Sequence, residues 1–344
     1  AQRFLDYEKL ELQACYPGSK VWFENRFHRV ADPFRHPIDG VKSLLTPIGS
    51  LGDKLRVGMM RMGLLSSRTM TDDCSTINAL DHMGFGNSMI NRFWKPFMRG
   101  VFLENELSTT IRKFEETFRF FSKGDTVLPK KGIGEIPRQL AGQLPREHIL
   151  LETEISKVDS NSVESSDGAK WEGRAVVLAT EDYHANQLLG IGKGHAEWNS
   201  VVCLYFSLAV DDLPSDERIL YLDGTGNGPI NNLTFVSTLC DCAPVGQALA
   251  SVSVIGKKEL DIQEIANQAK EQLTEWFGEK AEGWKYLKGY RIHQAVPSCP
   301  VPPSPKPSLT EVYRCGDYFG LPSIDSAMKS GRITAEHIIQ EFKS

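Results

Sequence analysis

The sequence predicts an α/β chain with mixed α+β character, built from two domains that exchange the polypeptide twice. Three observations predict it. Residues 129–195 and 301–344 hold short apolar runs and Gly-rich turns that lead into helices, the texture of a helix-covered, partly parallel sheet. Residues 1–128 are dominated by helical periodicity after an early hairpin. Residues 196–300 turn to long, partly alternating strands, which suggests an antiparallel sheet. One domain is then 1–128 with 196–300, and the other is 129–195 with 301–344. No internal repeat is evident.

Composition bounds the function. With 344 residues, 41% hydrophobic and 24% charged, the chain can bury a large core. A net charge of −5 without a basic stripe argues against nucleic acid as partner. No apolar run approaches the ~20 residues that span a bilayer. The longest, Val201–Val210, is broken by Ser207 and reads as a buried strand. The seven cysteines (Cys15, Cys74, Cys203, Cys240, Cys242, Cys299, Cys315) form no framework, and free thiols in a reducing compartment are expected. Cys240-x-Cys242 has no second Cys or His pair at zinc spacing, so no metal site is expected. The chain opens on Ala1, and AQRFLDYEKLELQACYPGS reads as the middle of a domain, which points to a processed or truncated chain.

The elements follow in order. Lys20–Val30 reads as a hairpin turning at Glu24-Asn25. Leu51–Leu65 is helical, with Leu51, Leu55, Met59 and Met62 on one stripe expected to be core. Ser75 is the N-cap of a short helix, and Gly86-Asn87 turns into a helix over Met89–Phe97. Ser108–Phe121 is helical, with Ile111, Phe114, Phe118 and Phe121 aligned. These Phe and Met stripes are either core or the wall of a channel for a greasy ligand. PKKGIGEIPRQLAGQLP, from Pro129, is a Gly-rich loop entering a helix. Short strands follow, and Arg174–Ala179 is expected to be buried on both faces. Glu181–Leu189 and Ile262–Phe277 are helices, and Lys285–Val296 is a strand. The six prolines of Pro297–Pro307 make an extended connector to a last strand at Glu311–Arg314.

That strand feeds RCGDYFGLPSIDSAMKSGRITAEHII, Arg314–Ile339. Ile324, Met328, Gly331, Ala335, Ile338 and Phe342 follow a 3.6 period and are expected to form one buried stripe. Ser323 or Asp325 caps the helix, whose N-terminus carries about half a positive charge. Gly316 and Gly320 are expected to allow close approach and positive φ, and Asp317 sits just past the strand end, where α/β sheets face ligands. A carboxylate there can bond sugar-like hydroxyls. A plain strand–turn–helix with ordinary caps is the alternative.

CGDYFGLPSIDSAMKSGRITAE resembles the C-terminal flavin-binding segment of the family that includes flavin amine oxidases, protoporphyrinogen oxidases and the plant and cyanobacterial carotenoid desaturases. PKKGIGEIPRQLAGQL resembles the family's Pro-x-Gly-Gly loop, with Gly132 and Gly134 spaced by Ile133. ILLETEISKVDS…GRAVVLAT resembles the strands at the adenine end, and YPGS…RFHRVADPFRHPIDG resembles the start of the substrate domain. The resemblance implies an incomplete Rossmann-like FAD-binding domain interleaved with a substrate domain of antiparallel sheet plus helices. It implies FAD held by Gly316, Asp317, Ser323, Ile324, Ala327, Ile155, Ala179, Thr180, Gly132 and Gly134. Gly316 and Asp317 would lie by the ribityl and pyrophosphate, and the Ser323–Ile324 backbone would face the negative N1 edge of reduced flavin.

The family opens with strand, Gly-x-Gly-x-x-Gly and helix, and this sequence does not. Gly132-x-Gly134 lacks a third glycine, and Gly224-x-Gly226-x-Gly228 has no helix after it. The expected function is hydride removal from a hydrophobic small molecule, carotenoid, isoprenoid or porphyrin-like, to flavin N5. Peripheral membrane contact and a plastid location, otherwise cytoplasmic, go with that expectation. The alternatives are an amine oxidase, a truncated non-catalytic binding or interaction module, and a nicotinamide-dependent dehydrogenase. No catalytic residue stands out by spacing.

Overall fold

The computed structural model describes residues 1–65, 70, 71, 73–191, 197–256, 259–298, 312–320 and 322–343. Two compact units are present. The larger comprises Tyr7–Ile136 and Trp198–Val296, and the smaller Ala1–Asp6, Pro137–Glu197 and Pro297–Ser344. In chain order the elements used below begin with β1 (Gly18–Phe23), β2 (Arg26–Ala31), α1 (Pro37–Leu44), α2 (Leu51–Arg61), α3 (Thr76–His82), α4 (Lys95–Phe102) and α5 (Ile111–Lys123). Then come β3 (Ile155–Val158), β4 (Ser162–Ser165), β5 (Lys170–Glu172), β6 (Val177–Leu178) and α6 (Asp182–Leu188). Next are β7 (Trp198–Ala209), β8 (Leu220–Asp223), β9 (Ile230–Phe235), β10 (Gln247–Ile255), α7 (Ile262–Phe277) and β11 (Lys285–Pro297). The chain closes with β12 (Tyr313–Arg314) and α8 (Ile324–Glu341).

The larger unit is built on a seven-stranded sheet of order β11-β7-β10-β9-β8-β1-β2. The expected hairpin is its β1–β2 edge. Glu24 and Asn25 both take positive φ (52° and 55°), the type I′ geometry whose twist matches the flanking strands. The sheet is antiparallel where β7, β10, β9 and β8 meet, but β8 joins β1 in parallel. Alternation sends Leu204, Phe206, Val252, Val254 and Leu233 to one face, where α7 covers them with Ile265, Ala269, Leu273 and Trp276. The Gly224–Gly228 run is the turn between β8 and β9, closed by Asp223, whose Oδ1 accepts the Thr225 N–H at 2.9 Å.

The helical block has its own core, centred on Trp94, which meets Phe85, Phe93, Phe114 and Phe118 at ring distances of 5.2–6.0 Å. Ser75 caps α3 as expected. The helix expected over Met89–Phe97 contains a π-helical turn, Ile90–Trp94, before α4. Pro96 carries no N–H, and widening the turn ahead of it accommodates the missing bond.

One helix departs from expectation, and its neighbour α1 shares the inverted polarity. Leu51, Leu55, Met59 and Met62 are exposed, and α2 buries Asp53 and Met60 instead. A capping box fixes this orientation: Ser50 Oγ accepts the Asp53 N–H at 3.1 Å, and Asp53 Oδ2 accepts the Ser50 N–H at 2.8 Å. Asp53 Oδ1 also accepts the Gly86 N–H at 2.7 Å. Burial opposes the charged form of Asp53, but these bonds outweigh it and hold the carboxyl below its ordinary range. In α1, likewise, Ser43 is buried, with its Oγ accepting the Ala31 N–H at 3.0 Å and donating to Arg29 O at 3.1 Å.

The smaller unit holds a three-stranded antiparallel sheet, β3–β4–β5, and a parallel pair, β6 with β12, in register Val177↔Tyr313 and Leu178↔Arg314. Its core is small: Val176, Leu178, Ala185 and Val312. Arg174–Ala179 is not buried on both faces, since Val177 is 41% exposed. The expected α8 stripe is also not buried: Ile324, Ala335 and Phe342 are exposed, while Ser330 and Thr334 are buried. A two-stranded pair gives α8 too little apolar surface to cover, and those two hydroxyls tether it instead. Ser330 Oγ accepts the Gly316 N–H at 3.2 Å and Thr334 Oγ1 donates to Arg314 O at 3.2 Å. Pro297 ends β11; the rest of the proline-rich connector, from Cys299 on, and Glu311 lie outside the described residues, and among those described the other six cysteines are free thiols.

Candidate active site

The smaller unit gathers four of the ten expected cofactor residues at one sheet end. β6 and β12 are parallel, so Ala179-Thr180 and Gly316-Asp317 both leave the carboxyl edge, where α/β sheets bind ligands. The Cys315 N–H donates to Leu178 O at 3.0 Å and fixes this edge. Gly316 and Gly320 do not take the left-handed φ expected of them (168° and −159°); both are extended. What excludes a side chain at Gly316 is space. A Cβ there would stand 2.2 Å from the Tyr318 ring, and one at Gly320 would stand 3.3 Å from Ser326 Oγ. Tyr318 is buried, donates to Cys315 O at 3.3 Å, and has the Arg314 guanidinium 5.5 Å from its ring centroid. Burial pushes its hydroxyl pKa up. Arg314 pairs with Asp182 at 2.5 Å.

Asp317 is half-buried in a short 3₁₀ turn, Asp317–Phe319. Ser323, rather than Asp325, caps α8: its Oγ accepts the Ser326 N–H at 3.1 Å. The amides of Ile324 and Asp325 precede the first intrahelical bond, and Ile324 is exposed beside them, with Ala327 half-buried one turn on. Ile155 begins β3, an edge strand. Gly132 and Gly134 belong to the larger unit, where Gly132 takes φ +93° in a turn closed by its N–H to Pro129 O at 2.8 Å.

The larger unit contains a cavity of about 560 Å³. Its walls are aromatic: Phe93 stacks on Phe97 at 5.5 Å and Phe97 meets Phe121 at 5.2 Å, with Phe118 beside them. The expected Phe stripe thus divides, Ile111 and Phe114 into core and Phe118 and Phe121 into cavity wall. The floor is the sheet face opposite α7, where Asn232, Thr234, Ser251 and Ser253 form a neutral polar row. Asn232 Nδ2 donates to Ser253 Oγ at 3.4 Å, and Gly100 leaves room for the carboxamide, since a Cβ there would stand 2.9 Å from Asn232 Oδ1. The period-two spacing of N-x-T and S-x-S opposite apolar neighbours was the sequence signal for this row.

Charge on the lining is one-sided. Arg35, Lys54, Arg61 and Arg218 face a single carboxylate, Asp32, which already holds Arg61 and lies 3.7 Å from Arg35. Arg61 also stands 4.9 Å from the Phe34 ring centroid. Lys54 donates to Leu44 O and Thr46 O at 3.0 and 2.6 Å, and burial lowers its pKa. Tyr16, also on the lining, donates to Asp39 at 2.7 Å; burial and that bond raise its pKa. Behind it Glu217 binds Lys20 at 2.6 Å and Arg29 at 2.5 Å. Among the described residues no cluster could hold a metal ion, and no helix is long and apolar enough to cross a membrane.

Residues 6–339 match the family model of the flavin-containing amine oxidoreductases. The chain belongs to that family. No curated protein sequence matches it. Among solved structures it is similar to an oxidoreductase from Methanosarcina mazei, with TM-score 0.71 and 13% identity over 94% of this chain and 82% of that one. It is also similar to a redesigned putrescine oxidase, with TM-score 0.67 and 11% identity over 97% and 84%. A protein from an Exiguobacterium species, provisionally named a protoporphyrinogen oxidase, gives TM-score 0.64 and 13% identity over 97% and 84%. At these identities the structures show the fold. As a flavin-containing amine oxidoreductase the protein is a flavin-dependent oxidoreductase with FAD as cofactor. The Gly316 corner fits part of that group: a carboxylate, Asp317, just past the strand end, and a helix start at Ser323. Ala179 and Thr180 share its sheet edge.

Proposed function

We propose that the protein oxidises a hydrophobic small molecule, of the carotenoid, isoprenoid or porphyrin-like class, bound in the aromatic cavity of the larger unit. The observation that carries this is the lining itself, aromatic walls and a neutral polar floor around about 560 Å³. FAD supplies the acceptor for the substrate's hydride, at N5. The chain's own residues have three tasks. Phe93, Phe97, Phe118 and Phe121 exclude water and grip the apolar body. Asn232, Thr234, Ser251 and Ser253 orient it by hydrogen bonds that carry no charge. Arg314, fixed by Asp182, and the Gly316 backbone shape the cofactor corner.

An amine substrate is the second reading, favoured by the family. The lining charge opposes it: four cations repel an ammonium ion, and the one carboxylate there is already engaged by arginine.

The test is a titration. The purified protein is loaded with FAD and then mixed with a polyene, a porphyrin or a primary alkylamine, following each ligand's absorbance or its inhibition of another's binding. The expected result is a yellow complex absorbing at about 450 nm that binds the polyene or porphyrin but not the amine. Phe97→Asp should weaken that binding about tenfold or more, because a charge is placed in an apolar wall. A protein that stays colourless with FAD is a binding module and not an enzyme. One that binds only the amine is an amine oxidase.

A further inference from the structure

The cavity floor contains a directed chain of side-chain amides, and a bulge in β9 builds it. Ile230 pairs with Val254 and Asn232 with Ser253, so β9 takes two steps where β10 takes one. The extra residue is Asn231, and such a bulge re-aims a side chain. Asn231 is buried, and its Nδ2 donates to Pro96 O and to Asn232 Oδ1, both at 2.9 Å. Both of its amide hydrogens are thereby used. This contact decides which way the next carboxamide points. The Asn232 oxygen turns back to Asn231, and its Nδ2 reaches Ser253 Oγ at 3.4 Å. Gly100 of α4 packs on the amide pair, because a Cβ there would stand 2.9 Å from Asn232 Oδ1 and 3.2 Å from Asn231 Nδ2.

The chain ends in donors. Ser253 Oγ accepts, so its own hydrogen is left to give, and Asn232 keeps a second amide hydrogen. Asn232 Oδ1 is already engaged. Both residues are half-buried on the cavity lining, which they share with the stacked rings of Phe93 and Phe97. An apolar body that fills such a cavity displaces water from its floor. A hydrocarbon then leaves both donors unpaired, whereas a ligand with an acceptor oxygen at that place satisfies them. A carboxylate buried there would need a cation beside it, and neither residue bonds one. A carbonyl oxygen needs none, and its two lone pairs match two donors.

Resting on the reading of this cavity as the substrate site, we infer that Asn232 and Ser253 hold a carbonyl oxygen of the substrate. The cavity then selects an oxygenated apolar molecule over the hydrocarbon of the same skeleton. Asn231 is a positioning residue, which acts by fixing the direction of the Asn232 carboxamide.

Equilibrium dialysis of the purified protein, with FAD present, tests this with two probes: β-ionone, a polyene ketone, and the hydrocarbon that carries CH₂ in place of its C=O. The ketone should bind about tenfold more tightly than the hydrocarbon. Ser253→Ala removes one donor and should weaken ketone binding about fivefold, leaving hydrocarbon binding where it was. Ser253→Thr keeps the hydroxyl and should keep the preference. The inference is overturned if the parent binds the two probes equally, in which case the cavity remains a site for apolar molecules. It is also overturned if Ser253→Ala retains the full preference for the ketone. If neither probe binds the parent, the reading of the cavity as a substrate site fails, and the inference fails with it.

Discussion

Helices α7 and α8 carry similar sequence patterns and meet opposite fates. Both show apolar residues at helical spacing. In α7 the stripe of Ile265, Ala269, Leu273 and Trp276 is buried against long alternating strands. In α8 no residue of the equivalent stripe is buried: Ile324 is 51% and Phe342 41% exposed, Met328 and Ile338 are half-buried, and two hydroxyls hold the helix to its strand. The difference lies in the partner. α7 lies on a seven-stranded sheet, and α8 belongs to a unit whose parallel pair has two strands. Periodicity therefore states what a helix can bury, and the neighbouring surface decides what it does bury.

The largest expected effect puts this contrast to the test. Leu273→Ala should cost about 3 kcal/mol, as deletion of a fully buried leucine does, whereas Ile324→Ala should cost less than about 0.5 kcal/mol. Denaturant titration with fluorescence and circular dichroism reads both. Equal costs would mean that α8 packs its stripe after all, and the contrast between the helices would fall.

A smaller effect is expected inside the weaker unit. Gly316→Ala places a methyl group 2.2 Å from the Tyr318 ring and should cost about 2 kcal/mol. In a Tyr318→Leu background the same change should cost much less, because the clashing ring is gone. An undiminished cost in that background would show that the backbone at 316, and not the neighbouring ring, demands glycine. FAD affinity should follow the same order.

The same distinction explains what could be read from the sequence. The β1–β2 hairpin was legible because Glu24-Asn25 makes its turn locally. The cap at Ser75 and the α7 stripe were legible for similar reasons. The strand–turn–helix at the C-terminus was legible as a motif, but the left-handed backbone expected at Gly316 is absent. Gly316 serves the approach of Tyr318, two residues on, and has an extended backbone. The inversion of α1 and α2 was hidden because Ser43 and Asp53 find their partners at Ala31 and Gly86, and nothing in a helical period encodes those bonds. The cavity was half legible: the Phe stripe was offered as a channel wall, but the floor comes from strands far apart in sequence from it.

The smallest expected effect concerns Glu217, at the base of the larger unit's sheet. Burial there favours the neutral acid, but the bonds from Lys20 and Arg29 outweigh it and hold the carboxyl below its ordinary value of 4.5. Such a group binds fewer protons in the folded than in the unfolded state between its two pKa values. Its contribution is therefore fully present above 4.5 and is lost as pH falls through the folded value. Glu217→Gln should destabilise the protein at neutral pH by about 1 kcal/mol, and the gap to the parent should close on acidification, because the parent then loses the same charge. Melting temperatures across the acid range read the gap. A gap of constant size at every pH would mean that Glu217 contributes shape and packing rather than charge, and Lys20 and Arg29 would then have to find their counter-charge elsewhere.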